Sequence, residues 1–201
     1  MHIYKNLLLL FISINFISCA GTNFSKLQKE MITDGNETKP MRVYLIDNKK
    51  DSVLLRTKST FIKPNPKNKK LQLFAKRLVA TVRDSSSLGV GIAAPQVGIL
   101  KNIIVVQRLD KDNEPFEVYL NPIIQYYSKR KRPCPEGCLS IPNKRAITLD
   151  RAYEIKIAYD KLDGSHHLET IEDFVSVIFQ HEIDHLNGIL FIDHLLQESN
   201  R

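Results

Sequence analysis

His181, Glu182 and His185 form an H-E-x-x-H sequence, and on a helix the two histidines fall about 40° apart, one turn along the same face. Two imidazoles so placed can grip a single metal ion. The carboxylate one residue round can reach a water beside the ion without entering its coordination shell, as a general base requires. A catalytic metal normally has three protein ligands and one open position, so a third ligand has to come from elsewhere. Downstream, Phe191 stands where an H-E-x-x-H-x-x-G-x-x-H extension has its last histidine, and Glu198 is the sole Glu after His185. Upstream, the candidates are Cys138, Cys134 and the pair His166-His167, and Gly137 just before Cys138 lets backbone approach a ligand closely. Without a third ligand the pattern reduces to two surface histidines on a polar helix.

The element that must carry this pair starts at Thr170-Ile171-Glu172-Asp173, which fits the capping-box pattern, and runs through Phe174, Val177 and Ile178 toward Gly188, a C′ glycine. Helical spacing puts Phe174, Val177 and Ile178 on or beside the histidine face. Earlier in the chain, Leu71, Phe74, Ala75, Leu78, Val79 and Val82 make an apolar stripe that predicts an amphipathic helix over Lys70–Arg83, ending ahead of Ser85–Ser87. Short β-branched stretches predict strands at Ile103–Val106, Glu117–Leu120 and Ile155–Tyr159, punctuated by Asn102, Asn121-Pro122 and Asp163-Gly164. This order suggests an α+β domain, with antiparallel β-sheets around one central metal-binding helix.

The chain has 201 residues, 43% hydrophobic and 25% charged, which excludes collagen, a long coiled coil and a wholly disordered chain. Its 29 Lys plus Arg against 22 Asp plus Glu give a net charge of +7, which permits anionic partners without selecting one. Lys129-Arg130-Lys131-Arg132 is a dense basic run that reads as a solvated loop, with contact to anionic lipid or to the ribosome as the alternative. No nucleic-acid-binding motif accompanies it, so no specific nucleic acid partner is expected. Three cysteines, Cys19, Cys134 and Cys138, are too few for a disulfide scaffold. Near the start, Lys5 precedes an 11-residue, mostly apolar run from Leu7 to Ile17, too short to span a bilayer and of the length of a signal-peptide core. The ending Phe16-Ile17-Ser18-Cys19 resembles a bacterial lipobox, with Phe16 where Leu is usual. It predicts a signal over residues 1–18, cleavage before Cys19 and a lipid on its thiol. Residues 19–40 lack sustained periodicity and read as a flexible tether, leaving 41–201 as the catalytic domain.

Three motifs in order resemble the peptide deformylase family, hydrolases that remove the formyl group from N-formylmethionine at the start of new bacterial polypeptides. Gly89-Val90-Gly91-Ile92-Ala93-Ala94-Pro95-Gln96 is similar to the family's G-Φ-G-Φ-A-A-P-Q, Glu136 to Ser140 to its E-G-C-L-S, and Gln180 to His185 to its Q-H-E-x-D-H. The resemblance runs from about Val43 to Leu195. It implies the deformylase fold and a metal held by Cys138, His181 and His185. The ion would be divalent, Fe2+ natively, with Zn2+, Ni2+ or Co2+ as substitutes. Cys134 would be a bystander thiol. The resemblance makes Glu182 the general base, with the Gln96 side-chain amide and the Leu139 backbone N–H as donors to the oxyanion. The same segments would hold an N-formylmethionyl peptide as an added strand, through Val90, Gly91, Glu136 and Gly137. Arg145 would lie near its later residues, and Phe174, Val177 and Ile178 would line the methionine slot.

Activity and address conflict at this point, because formyl groups are added and removed in the cytoplasm beside the ribosome. The signal instead predicts a membrane-anchored lipoprotein facing the periplasm or cell envelope. A cytoplasmic deformylase with an uncleaved N-terminus, for which ribosome contact would be in reach, is one alternative. A non-catalytic metal- and peptide-binding lipoprotein is another, and a metalloprotease is a third, against which Phe191 and the cysteine motif count.

Overall fold

The computed structural model describes residues 23–84 and 89–199. The expected signal over residues 1–18, and Cys19 with it, lie outside the described residues. Three helices come first: α1 Lys26–Thr33, α2 Lys49–Leu55 and α3 Lys69–Val82. Strands β1 Gly91–Ala93, β2 Ile103–Gln107, β3 Phe116–Tyr127, β4 Cys134–Cys138, β5 Ile141–Thr148, β6 Glu154–Asp160 and β7 His166–Glu172 follow, and then α4 Asp173–Leu186 and α5 Phe191–Ser199. Strands β1-β2-β3-β6-β7, in that order, form one antiparallel sheet, and β4 with β5 form a separate hairpin.

Side chains alternate across a strand, and β2 shows what that does to an unbroken apolar run. Ile103 and Val105 pack with Leu71, Phe74, Leu78 and Val82 of α3, whereas Ile104 and Val106 pack with Val175, Ile178, Phe179 and Ile183 of α4. The sheet is thus covered by α3 on one face and α4 on the other. The predicted stripe of α3 is the buried one, and Asn68 caps the helix by accepting from the N–H groups of Lys70 and Leu71 at 3.1 and 3.2 Å.

Three expectations are corrected. Thr170 is no helix cap: β7 pairs with β6 along its whole length, Thr170 opposite Lys156 and Glu172 opposite Glu154. The helix starts only at Asp173, which takes φ 56° to turn the chain out of the strand. Nor does Asn121-Pro122 end a strand. β3 passes through it with a shift in register, while the Asn121 side chain bonds Ile62 at both its N–H and its carbonyl, 3.0 and 2.8 Å.

The third correction concerns residues 19–40, expected to be a tether. From Phe24 onward they are packed structure. Ser25 and Gln28 form a reciprocal capping box at the start of α1, and Phe24 and Ile32 are buried in the α3 core. The buried guanidinium of Arg77 donates to the carbonyls of Met31, Ile32 and Lys39 at 2.9, 2.9 and 3.0 Å. Phe24 meets Phe74 edge to face at 5.6 Å. Truncating Phe24 to Ala is therefore expected to cost about 3 kcal/mol in urea unfolding, where the corresponding change in a tether would cost nothing. Among the described residues no helix is long and apolar enough to cross a membrane.

Candidate active site

Helix α4 is buried along most of its length, so the histidines it carries lie inside the fold: His181 and His185 are 9% and 1% exposed. Their rings stand edge to face with centroids 5.0 Å apart. The β4–β5 hairpin brings Cys138 to them, and one ligand atom from each of Cys138, His181 and His185 lies within 4.8 Å of the others. Cys138 Sγ is 3.2 Å from His185 Nε2. His181 Nδ1 is engaged by Glu136 Oε2 at 2.6 Å, which leaves Nε2 as the ring nitrogen free for a metal. One sulfur and two nitrogens suit a borderline divalent ion, so the residues present fit the metal expected of them. Cys134 is buried with its Sγ 3.8 Å from the Pro135 carbonyl oxygen, and His166 bonds Asp160 at 2.8 Å, so neither joins the cluster. Phe191 is buried and stacks on His181 at 6.1 Å, so it supports the ligand ring without ligating.

Glu182, one residue round the helix, is 4% exposed, and its Oε2 has no hydrogen-bond partner. Burial without a partner disfavours the charge and pushes this carboxyl up to about 7 in the bare chain. A group poised near neutrality can both take and return a proton. Room for it comes from Gly91, where a Cβ would stand 2.5 Å from Glu182 Oε1 and 2.9 Å from Ile178 Cγ2.

The cluster opens into a cleft of about 580 Å3. Val90, Gly91 and Gln96 line it on the β1 side, and Glu136, Gly137, Leu139 and Arg145 on the hairpin side. Phe174, Val177 and Ile178 of α4 form its wall beside His181 and Glu182. Gln96 is buried and held by both ends of its amide: Oε1 accepts from Ala93 N–H at 2.9 Å, and Nε2 reaches Ser140 Oγ at 3.2 Å and Cys138 Sγ at 3.6 Å. The Arg145 side chain lies across Gly137, its cross-strand partner, 3.4 Å from where a Cβ would be. Among the described residues, β1 pairs only with β2 and β4 only with β5, so each presents one unpaired edge.

Glu136 also lines the cleft, and its carboxylate is taken up inside the protein: it holds His181, accepts from Arg151 Nε and Nη2 at 2.8 and 3.0 Å, and accepts from Thr148. Burial alone would raise its pKa, but the bonds to His181 and Arg151 hold it well below the carboxylate range. Arg151, 3% exposed, reaches on to Asp184 at 2.6 Å, and Asp184 takes His194 at 2.8 Å. Arg151, Asp184 and His194 thus support the site, and nothing local in the sequence marks Arg151 for that part.

The sequence model of the polypeptide deformylase family matches residues 43–201. This chain belongs to that family. Peptide deformylase of Ligilactobacillus salivarius is 40% identical over 116 residues, covering 55% of this chain and 62% of that protein. Peptide deformylase 1 of Clostridium perfringens is 36% identical over 146 residues, covering 73% and 94%. The match thus spans a little under two thirds of the first relative and nearly all of the second. Among solved structures, a Met-Ala-Ser-bound class I type b peptide deformylase from Acinetobacter baumannii superposes with a TM-score of 0.68 at 32% identity, covering 78% of this chain and 99% of that one. Peptide deformylase from Thermotoga maritima gives 0.67 at 28% identity, covering 77% and 97%. The deformylase fold of this chain, with its antiparallel sheets around a central helix, agrees with the α+β expectation.

Proposed function

We propose that this chain is a peptide deformylase, a metal-dependent hydrolase that releases formate from N-formylmethionyl peptides or proteins. The observation that carries it is the unpartnered, buried carboxylate of Glu182 beside the Cys138, His181 and His185 cluster, at the floor of a cleft between two unpaired strand edges. A protein that only bound peptides would have no use for such a group, which costs stability wherever it is charged.

Cys138, His181 and His185 would hold one divalent ion, which when bound would supply Lewis acidity to the formyl carbonyl and to water. We propose ferrous iron as the native ion, with Zn2+, Ni2+ or Co2+ as substitutes, as the S, N, N donor set allows. Glu182 takes the proton from the attacking water and returns it to the leaving amine, so formate and a free amino terminus are the products. Gln96 Nε2 and the Leu139 N–H donate to the oxyanion as charge develops on it. The peptide lies extended between the edges of β1 and β4, with Arg145 near its later residues and its first side chain against Phe174, Val177 and Ile178.

Formate release from formyl-Met-Ala-Ser by anaerobically purified, iron-loaded chain tests this reading, and no formate from a folded, metal-bound chain would overturn it. A finer expectation concerns Gly91. Gly91→Ala pushes a methyl into Glu182 and Ile178, so it should cost about 1–3 kcal/mol of stability and slow formate release about 10- to 100-fold.

We further propose that Cys19 carries a lipid and that the enzyme faces the periplasm or cell envelope, trimming formylated chains that escaped the cytoplasm. The short apolar run ending in Ser18-Cys19 supports this. Radioactive palmitate entering the chain but not its Cys19→Ser variant would separate this from a cytoplasmic enzyme within reach of the ribosome.

A further inference from the structure

Phe24 fixes where the chain enters the fold, because it is buried and packs on Phe74 in the middle of α3. Four residues lie between it and Cys19, which makes five Cα–Cα steps, and five steps reach no further than about 18 Å even fully extended. A lipid on Cys19 would therefore be held close to that contact.

The surface around it is basic. Lys26 and Lys29 of α1 are exposed, as are Lys67, Lys69 and Lys70 at the start of α3, one turn from Phe74. Among the described residues none of these five lysines is in an ion pair. Of the acids of α1 and the segment just after it, Asp34 and Glu37 are paired with Lys39 and Lys76, and Glu30 is the remaining one. Leu27, between the two lysines of α1, is 66% exposed. A bare leucine flanked by lysines is what an interfacial helix presents to lipid.

We propose that this face, α1 with the start of α3, docks on an anionic lipid surface and fixes the orientation of the catalytic domain. This rests on the reading of Cys19 as lipid-anchored. Arg77 ties α1 and the segment after it to α3, so the docked helix and the domain move as one. Val82 at the far end of α3 lies beside Gly89 and Leu139 of the cleft. That is eight residues, or about 12 Å, further along the helix than Phe74. Docking would hold the cleft mouth off the bilayer at a set height, within reach of chain ends emerging from it.

The chain has no tryptophan, so Leu27→Trp places a single reporter on the proposed face. The full chain, lipidated in a bacterial host, would be put into vesicles with brominated acyl chains, made with phosphatidylglycerol or of phosphatidylcholine alone. Fluorescence is expected to fall at least about twofold in the anionic vesicles. The fall should be lost in phosphatidylcholine and in a chain that also carries Lys26→Glu, Lys29→Glu and Lys70→Glu, with formate release from soluble formyl-Met-Ala-Ser unchanged as proof of folding. Palmitate on Cys19 without any bromine quenching would overturn the docking and leave the anchor standing. No palmitate on Cys19 would overturn the anchor, and the docking with it.

Discussion

Glu182→Gln is expected to lower formate release by about 10²–10⁴-fold, the range of a positioned general base, while the metal content of the chain stays as it was. The substitution keeps the volume and removes only the group that can accept a proton, and Glu182 belongs to no hydrogen-bond network through Oε2 that its loss could disturb. A second readout separates a catalytic role from a structural one. With its carboxyl pushed up to about 7 from the ordinary 4.5 in the bare chain, the folded state binds this proton more tightly than the unfolded state does. Stability linked to the group is therefore complete below about pH 4.5 and is lost as pH rises through 7. Gln does not titrate, so the metal-free variant should gain in Tm over the metal-free wild type across that window. A variant that loses activity and also melts lower at pH 7 would mean that Glu182 holds the helix in place and is not a base free to work.

The parts of this site that sequence made legible are those set by short-range periodicity. α3 and α4 show their buried faces at helical spacing, and the H-E-x-x-H pair has a meaning as soon as it lies on a helix. What was not legible depends on partners far along the chain. Thr170-Ile171-Glu172-Asp173 has the form of a cap, but seven residues of pairing with β6 outweigh one side-chain bond, and the helix begins three residues later without a side-chain cap. Residues 24–40 have little apolar character of their own. They are structured because Phe24 and Ile32 fill a groove on α3 and because Arg77, buried on the inner face of that helix, satisfies their carbonyls. Glu136 is the clearest case. Its place in a motif beside the metal ligand suggests contact with substrate, and only the fold shows that its carboxylate turns inward to a histidine 45 positions away and an arginine 15 away.

That inward turn makes Glu136→Ala the most damaging change expected outside the groups that meet metal or substrate. It removes the acceptor that orients His181, and such partners of a ligating histidine typically account for 10- to 100-fold in metal affinity. It also strands Arg151, 3% exposed, with Asp184 as its one remaining carboxylate among the described residues. Breaking a buried ion pair from one side commonly costs about 3–5 kcal/mol. Urea unfolding should register that loss, and competition with a chelator should register the weakened site. Glu136→Gln keeps an acceptor for His181 but removes the charge that balances Arg151, so it should recover metal affinity more fully than stability. If both variants bound metal like the wild type, Glu136 would be a support of the hairpin alone. Recovery of affinity in the Gln variant would place the orientation of His181, and with it the assembly of the three ligands, under the control of a carboxylate that is not itself a ligand.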